Sequence, residues 1–260
     1  MHVLEAGVIH MSDPSHPEPA SELFERAADA VVFGDLKALR ALLDQEPALV
    51  YARSGRSHRA TLLHYCAANG TEDPRQRTPD NAPAVARLLL ERGADPAAEC
   101  PMYGCDSVLG LLLTSSIPDS VGLDGELVRE LVRAGLRVNE RDMLEAIAFA
   151  RPRSIDALAE AGVPIDNLLF AAATDRTDVL EALLAQGTDV NTRFAYNWTA
   201  LHSAAVSGRV RATELLLAHG ADPTVIEDRF QGTPAGNARY NGQHTTADLI
   251  ERAQAGRVKG

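Results

Sequence analysis

Four groups of residues in this chain have types and spacings that could do chemistry. Cys100 and Cys105 are separated by four residues, Pro101-Met102-Tyr103-Gly104, which fits one half of a zinc site. Zinc takes four ligands, and no second Cys or His pair lies near, so no metal is expected. His64 and His202 each close a Thr-x-Leu-His run, Thr61-Leu62-Leu63-His64 and Thr199-Ala200-Leu201-His202. A catalytic imidazole needs a nucleophile and an orienting acid, and neither histidine has a Ser, Cys or acid at a triad spacing. Arg53, Arg56, His58 and Arg59 form a basic loop, with Arg75 and Arg77 further on. That loop is either solvated or a docking point for carboxylates or phosphate, with Arg56 and Arg59 as the contacts. Phe194, Tyr196 and Trp198 fall within five residues of a chain with 5% aromatics and one Trp. Aromatic anchors dominate binding hot spots; alternatively, Trp198 packs down on its neighbours. There is no glycine-rich phosphate loop, nucleophile elbow or zinc-protease motif. The expectation is therefore no catalytic residue, no cofactor and no enzyme.

The elements that must position these residues are clearest in residues 198–223. There Thr199-Ala200-Leu201-His202 opens a short helix, Ala204-Ala205 occupies its middle and Gly208 ends it. Leu215-Leu216-Leu217 fills a second helix, which ends at Gly220-Ala221-Asp222-Pro223. Taking the residue that ends the first helix as a ruler, the chain repeats it at Gly34, Gly70, Ser116, Ala150, Asp175, Gly208 and Gly242, at intervals of 36, 46, 34, 25, 33 and 34 residues. Glycines suited to a left-handed helix end recur after the second helices, at Gly93, Gly135, Gly162, Gly187 and Gly220.

This unit resembles the ankyrin repeat, whose pattern is Thr-Pro-Leu-His-x-Ala with a period of about 33 residues. The resemblance implies an all-α solenoid of about seven helix-turn-helix units joined by finger loops. Its expected units are 22–55, 59–96, 105–139, 141–165, 166–192, 197–224 and 231–253, strong in the second, sixth and seventh and weak in the third and fourth. It also implies that His64 and His202 are structural, tying neighbouring loop backbones together. The insertion Gln76-Arg77-Thr78-Pro79 and Met102-Tyr103-Gly104 look like a bacterial-type subgroup of such proteins. Two insertions stand out, residues 71–83 and 117–125. Only 15 residues separate Gly135 from Ala150 and 13 separate Gly162 from Asp175, against 21 from Gly187 to Gly208. The fingers leading into units four and five should therefore be bare turns.

A net charge of −11 argues against nucleic acid or an anionic membrane as the main partner, since both are polyanions. With 45% hydrophobic and 23% charged residues the chain reads as globular. Three cysteines, an odd number, fit a reducing, cytoplasmic setting. Residues 1–20, with Pro14, Pro17 and Pro19, read as a disordered leader without signal-peptide character, Met11 being a second candidate start. Residues 254–260 read as a polar tail.

The expected function is a monomeric protein-binding adaptor or regulator that uses its concave groove and its fingers. The alternative is an enzyme or small-molecule sensor with the two insertions as a lid. In the family the residue after the histidine usually faces the groove, which gives Tyr65, Leu111, Glu145, Phe170, Ser203 and Asn237. The position beside the helix end adds Phe149. Leu111, Phe149 and Phe170 would form an apolar stripe with Phe194, Tyr196 and Trp198 closing one end; the other possibility is that these rings turn inward.

Overall fold

In the computed structural model of the chain, residues 19–68, 72–102 and 106–258 are described. They form seven antiparallel helix pairs: α1 (Pro19–Phe33) with α2 (Leu36–Gln45), α3 (Leu62–Tyr65) with α4 (Ala82–Glu91), and α5 (Val108–Thr114) with α7 (Asp124–Arg133), the short α6 (Ser116–Ser120) lying between them. They continue with α8 (Glu140–Ala148) and α9 (Pro152–Glu160), α10 (Leu168–Ala173) and α11 (Thr177–Ala185), α12 (Ala200–Val206) and α13 (Val210–Ala218), and α14 (Pro234–Tyr240) and α15 (His244–Val258). A two-residue antiparallel pair, β1 (Glu99–Cys100) with β2 (Asp106–Ser107), precedes α5. The fold is an all-α stack of helix-turn-helix units, as the repeat pattern implies.

Local chemistry explains where each first helix after α1 begins. The residue before it is Thr61, Ser107, Asn139, Asn167, Thr199 or Thr233. Each has a short polar side chain able to satisfy an otherwise orphaned backbone N–H, worth about 1 kcal/mol. Asn139 accepts from Arg141 N at 2.8 Å and Asn167 from Phe170 N at 2.9 Å, so units four and five keep this cap after losing most of the pattern. The second helices end at Gly93, Gly135, Gly162, Gly187 and Gly220, all with φ between 88° and 98°. The helix-ending ruler is also left-handed at Gly34, Ala150, Asp175, Gly208 and Gly242, so Ala and Asp accept a conformation that favours glycine.

The ruler fails at Ser116 and is not tested at Gly70. Gly70 lies outside the described residues, and Ala68 takes the left-handed turn before it. Ser116 does not terminate a helix: the chain is extended at Ser115 (φ −77°, ψ 135°) and Ser116 starts α6. The ends differ from expectation as well. Helix α1 already begins at Pro19, and α15 runs on through Val258, into the stretch expected to be a polar tail.

Both insertions are strapped to the flank of the stack. In the first, Asn81 Nδ2 donates to Gly34 O at 2.8 Å, and Arg75 pairs with Glu25 (2.7 Å) and Asp29 (2.7 Å) on α1. In the second, Pro118 is buried and Asp119 pairs with Arg153 at 3.1 Å and Arg151 at 3.5 Å. Asp124, fully buried, accepts from Ser154 N (3.1 Å) and Ser154 Oγ (2.8 Å). Gly125 allows this junction: a Cβ there would sit 2.7 Å from the Arg153 carbonyl oxygen.

The core runs the length of the array and changes character at α10. Leu169, Phe170 and Ala173 join the cluster of the first four units. Leu168, Ala171 and Ala172 join that of the last three. The split follows helical periodicity, since positions three and four apart share a face.

Candidate binding cleft between the fourth unit and the fingers

The expected apolar stripe is not on the surface. Leu111 is 1% exposed and Phe170 2%, both inside the larger cluster. Tyr65 is buried too, its hydroxyl donating to Glu72 at 2.7 Å. At Tyr65, Leu111 and Phe170 the position after the histidine is therefore buried within the stack, whereas Glu145 at the same position stays partly exposed. Ser203 shows the geometry directly, its hydroxyl reaching back to Leu169 O at 2.9 Å. In units two, three and five large side chains fill the same interface.

Arg56 is spoken for as well. It pairs with Glu25 at 3.0 Å and Glu72 at 3.4 Å. Glu72 also accepts from His58 Nε2 (2.8 Å) and pairs with Arg75 (3.0 Å), while His58 Nδ1 accepts the N–H of Ala60. Burial, and next the bond to Glu72, hold the Tyr65 hydroxyl far above its ordinary value. An acidic chain supplies its own carboxylates, so Arg56 and the neighbouring Arg75 are neutralised internally. Arg59 stays exposed, with φ +50°.

Both Thr-x-Leu-His histidines are buried, with Nδ1 against the capping threonine hydroxyl, at 2.8 Å for His64 and 2.9 Å for His202. His202 Nε2 reaches Gly232 O in the following finger at 3.4 Å. Burial drives the His202 pKa down to about 4. Trp198 packs 5.5 Å from this ring and is only 6% exposed, so it belongs to the core and not to a free contact surface. Among the described residues no cluster of His, Cys, Asp and Glu could hold a metal; Cys105 lies outside them.

Around unit four, side chains that could meet a partner do come together. Arg141, Leu144, Glu145, Ile147 and Ala148 of α8 form one wall of a cleft of about 210 Å³, with Leu169, residues 194–196, Trp198 and Arg229 around the rest. Leu144 stands where His202 stands in unit six. His202 is covered by the finger after its unit, but the corresponding segment after α9 is cut short, and Leu144 is left 40% exposed. Tyr196 is 62% exposed, Phe194 half-buried. Tyr196 and Asn197 have φ of +56° and +61°, and Trp198 N donates to Ala195 O at 3.3 Å, the pattern of a type I′ turn. A bulky residue at positive φ is strained, and such strain concentrates at functional sites.

The next finger braces this turn through Asp228 N to Tyr196 O (2.8 Å) and Asn197 Nδ2 to Ile226 O (2.8 Å). That finger is itself built around buried Glu227, which accepts from the N–H groups of Arg229 (2.7 Å), Phe230 and Gly232 (3.0 Å each). Burial is the largest influence on the Glu227 carboxyl and pushes its pKa up, but these donors together outweigh it and hold the group below its usual range. Arg229 is thereby set over the rings of Phe149 (4.9 Å) and Phe230 (5.3 Å). Phe149, half-buried beneath Arg229, is the one member of the expected stripe that is not fully inside the core. Leu144 and Arg229 were not singled out from sequence; the shortened finger after unit four was the signal for the first.

Part of the chain matches a known family of repeats. The family described as ankyrin repeats (3 copies) matches residues 124–227. The ankyrin repeat protein FPV244 of fowlpox virus is 25% identical over 221 residues, 84% of this chain and 27% of that protein. The mitochondrial disaggregase of Bos taurus is 39% identical over 85 residues, 33% of this chain and 12% of that protein. The chain thus spans about a quarter or less of these curated relatives. The crystal structure of the human ASB11 ankyrin repeat domain aligns with a TM-score of 0.49 and 20% identity, covering 86% of this chain and 96% of that one. Over residues 124–227 the chain is thus similar to ankyrin repeats. Such repeats are generally protein–protein interaction modules and typically non-enzymatic. No helix among the described residues is long and apolar enough to cross a membrane.

Proposed function

We propose that this chain is a non-enzymatic, cytoplasmic adaptor or regulator that works as a monomer and holds a protein partner in the cleft between α8 and the fingers at 194–198 and 226–232. The observation that carries this reading is the pairing of exposed Leu144 and Tyr196 across an apolar cleft beside Arg229. The partner-facing residues are Tyr196, Leu144, Phe149, Phe194 and Arg229, while Trp198 lines the cleft from the core. A volume of about 210 Å³ lies below the roughly 300–1,000 Å³ usual for a metabolite or cofactor. It suits one or two side chains of a partner, and the strapped insertions offer no lid for a sensor.

Site-specific photocrosslinking tests the proposal. A photoreactive residue at Tyr196 should trap a defined protein from lysate, and the same group at exposed Glu181 should not. The trapped protein, once purified, should bind wild type directly and lose binding to Leu144→Ser. Equal trapping at both positions, or binding indifferent to Leu144→Ser, would overturn the reading.

A further inference from the structure

We infer that the segment seated in this cleft is a peptide in which an apolar side chain lies next to an aspartate or glutamate. The apolar group enters between Leu144, Ile147 and Tyr196, and the carboxylate meets the guanidinium of Arg229. The inference rests on the cleft being the partner-binding site and specifies what that partner must carry.

The disposition of arginine charge points to the carboxylate. In this chain of net charge −11 many arginines are matched to its own acids: Arg87 to Glu130, Arg129 to Glu160, Arg209 to Asp156, Arg239 to Asp248 and Glu251. Arg229 has no carboxylate within ion-pair distance among the described residues. Its neighbours are two aromatic rings, and its backbone is fixed by the bond to Glu227. Arg77 also rests on a ring, Phe33 at 4.7 Å, but lines no such cleft. A guanidinium held over ring faces keeps its in-plane N–H fork available for bidentate pairing with a carboxylate. Because its stem is already ordered, less rotamer freedom is lost when the anion arrives. Arg141 adds a second positive charge to the lining against the single carboxylate of Glu145, so the cleft favours an acid over a base.

The experiment is selection of a displayed library of random peptides on wild type and on Arg229→Gln in parallel. Wild type should enrich peptides pairing a Leu, Phe or Met with a neighbouring Asp or Glu. The variant should keep the apolar anchor and lose the acid. With one enriched peptide, labelled with fluorescein, replacing its acid by the amide and making Arg229→Gln should each weaken binding about tenfold. The two changes together should cost no more than either alone. Arg229→Lys, which keeps charge without the fork, should fall between wild type and Arg229→Gln, and equal melting temperatures will show that all three are folded. Enrichment of acid-free or basic peptides, or additive losses, overturns the inference. If such peptides still require Leu144, the cleft reading survives alone. Peptides indifferent to Leu144→Ser as well as to Arg229 would sink both. No enrichment on wild type overturns the peptide assignment, and crosslinking at Tyr196 then judges the cleft by itself.

Discussion

The first four units and the last three solve the same packing problem with different side chains. The cluster of units one to four is filled by large residues such as Leu39, Leu63, Leu112, Met143, Ile155 and Leu158. The cluster of units five to seven is mostly alanine: Ala171, Ala172, Ala200, Ala204, Ala205, Ala212, Ala235, Ala238 and Ala247, with a few leucines and Ile250. Where the repeat pattern is kept, small residues let helices approach and backbone regularity does the rest. Where it is lost, bulk fills the gaps and ion pairs fasten the insertions. Arg209 bridges the two regimes. From the start of α13 it donates to Ala173 O (2.7 Å) and Pro152 O (3.1 Å), and it pairs with Asp156 (2.6 Å), so unit six grips unit four across unit five.

The comparison predicts opposite sensitivities. Leu158→Ala should be the most damaging single change, at about 2–5 kcal/mol, because a fully buried leucine leaves a cavity that rigid neighbours cannot close. Ala204→Leu should cost about 1–3 kcal/mol through overpacking. Chemical denaturation of both variants checks this, and an Ala204→Leu variant as stable as wild type would show that the last three units are loosely packed. Arg209→Ala should come next, at about 2 kcal/mol, since it orphans carbonyl acceptors as well as an acid that is partly solvent-screened. Its signature should be separation of one unfolding transition into two. A single unshifted transition would mean that the halves are coupled through α10 alone.

His202 gives the comparison a pH axis. Its folded pKa of about 4 lies below the unfolded value near 6.5, so the folded state binds the proton less readily. The stability it contributes is complete above pH 6.5 and is lost as the pH falls from about 6.5 to about 4. At pH 5 the loss is about 2 kcal/mol relative to pH 8. Carboxylates such as Glu227 also lose stabilisation in acid, so the measurement is the difference between wild type and His202→Gln across pH 5 to 8. The gap between them should narrow towards acid; a constant gap would show that His202 is not the titrating group.

Much of the architecture was legible because it is local. The glycines at Gly135 and Gly162 mark helix ends even in the weak third and fourth units. Side-chain direction was less legible, since it depends on what the neighbouring unit leaves empty. The pattern places Phe170 and Leu111 in the groove, yet in units three and five, as at Tyr65 in unit two, that position supplies bulk to the core. The ion pairs of Arg56 and Arg75 were hidden for a different reason. Their partners Glu25 and Glu72 lie 31 and 16 residues from Arg56, and Glu25 lies 50 from Arg75. The cleft itself emerged from an omission, the shortened finger after unit four, combined with Arg229 arriving from two units away.

The smallest expected effect bears most directly on what that cleft is for. Tyr196 occupies a positive-φ position of its turn, where Asn is far better suited, and its ring is mostly in solvent. Tyr196→Asn should therefore leave stability unchanged or raise it by up to about 1 kcal/mol. If the ring serves only the fold, the substitution is harmless in every assay. If it is kept at the expense of backbone strain because a partner needs it, the variant should match or exceed the wild-type melting temperature and still lose capture of the partner trapped at that position. A variant that is clearly destabilised would mean that the ring packs on the cleft walls more than its exposure implies, and the contact role would pass to Leu144 and Arg229.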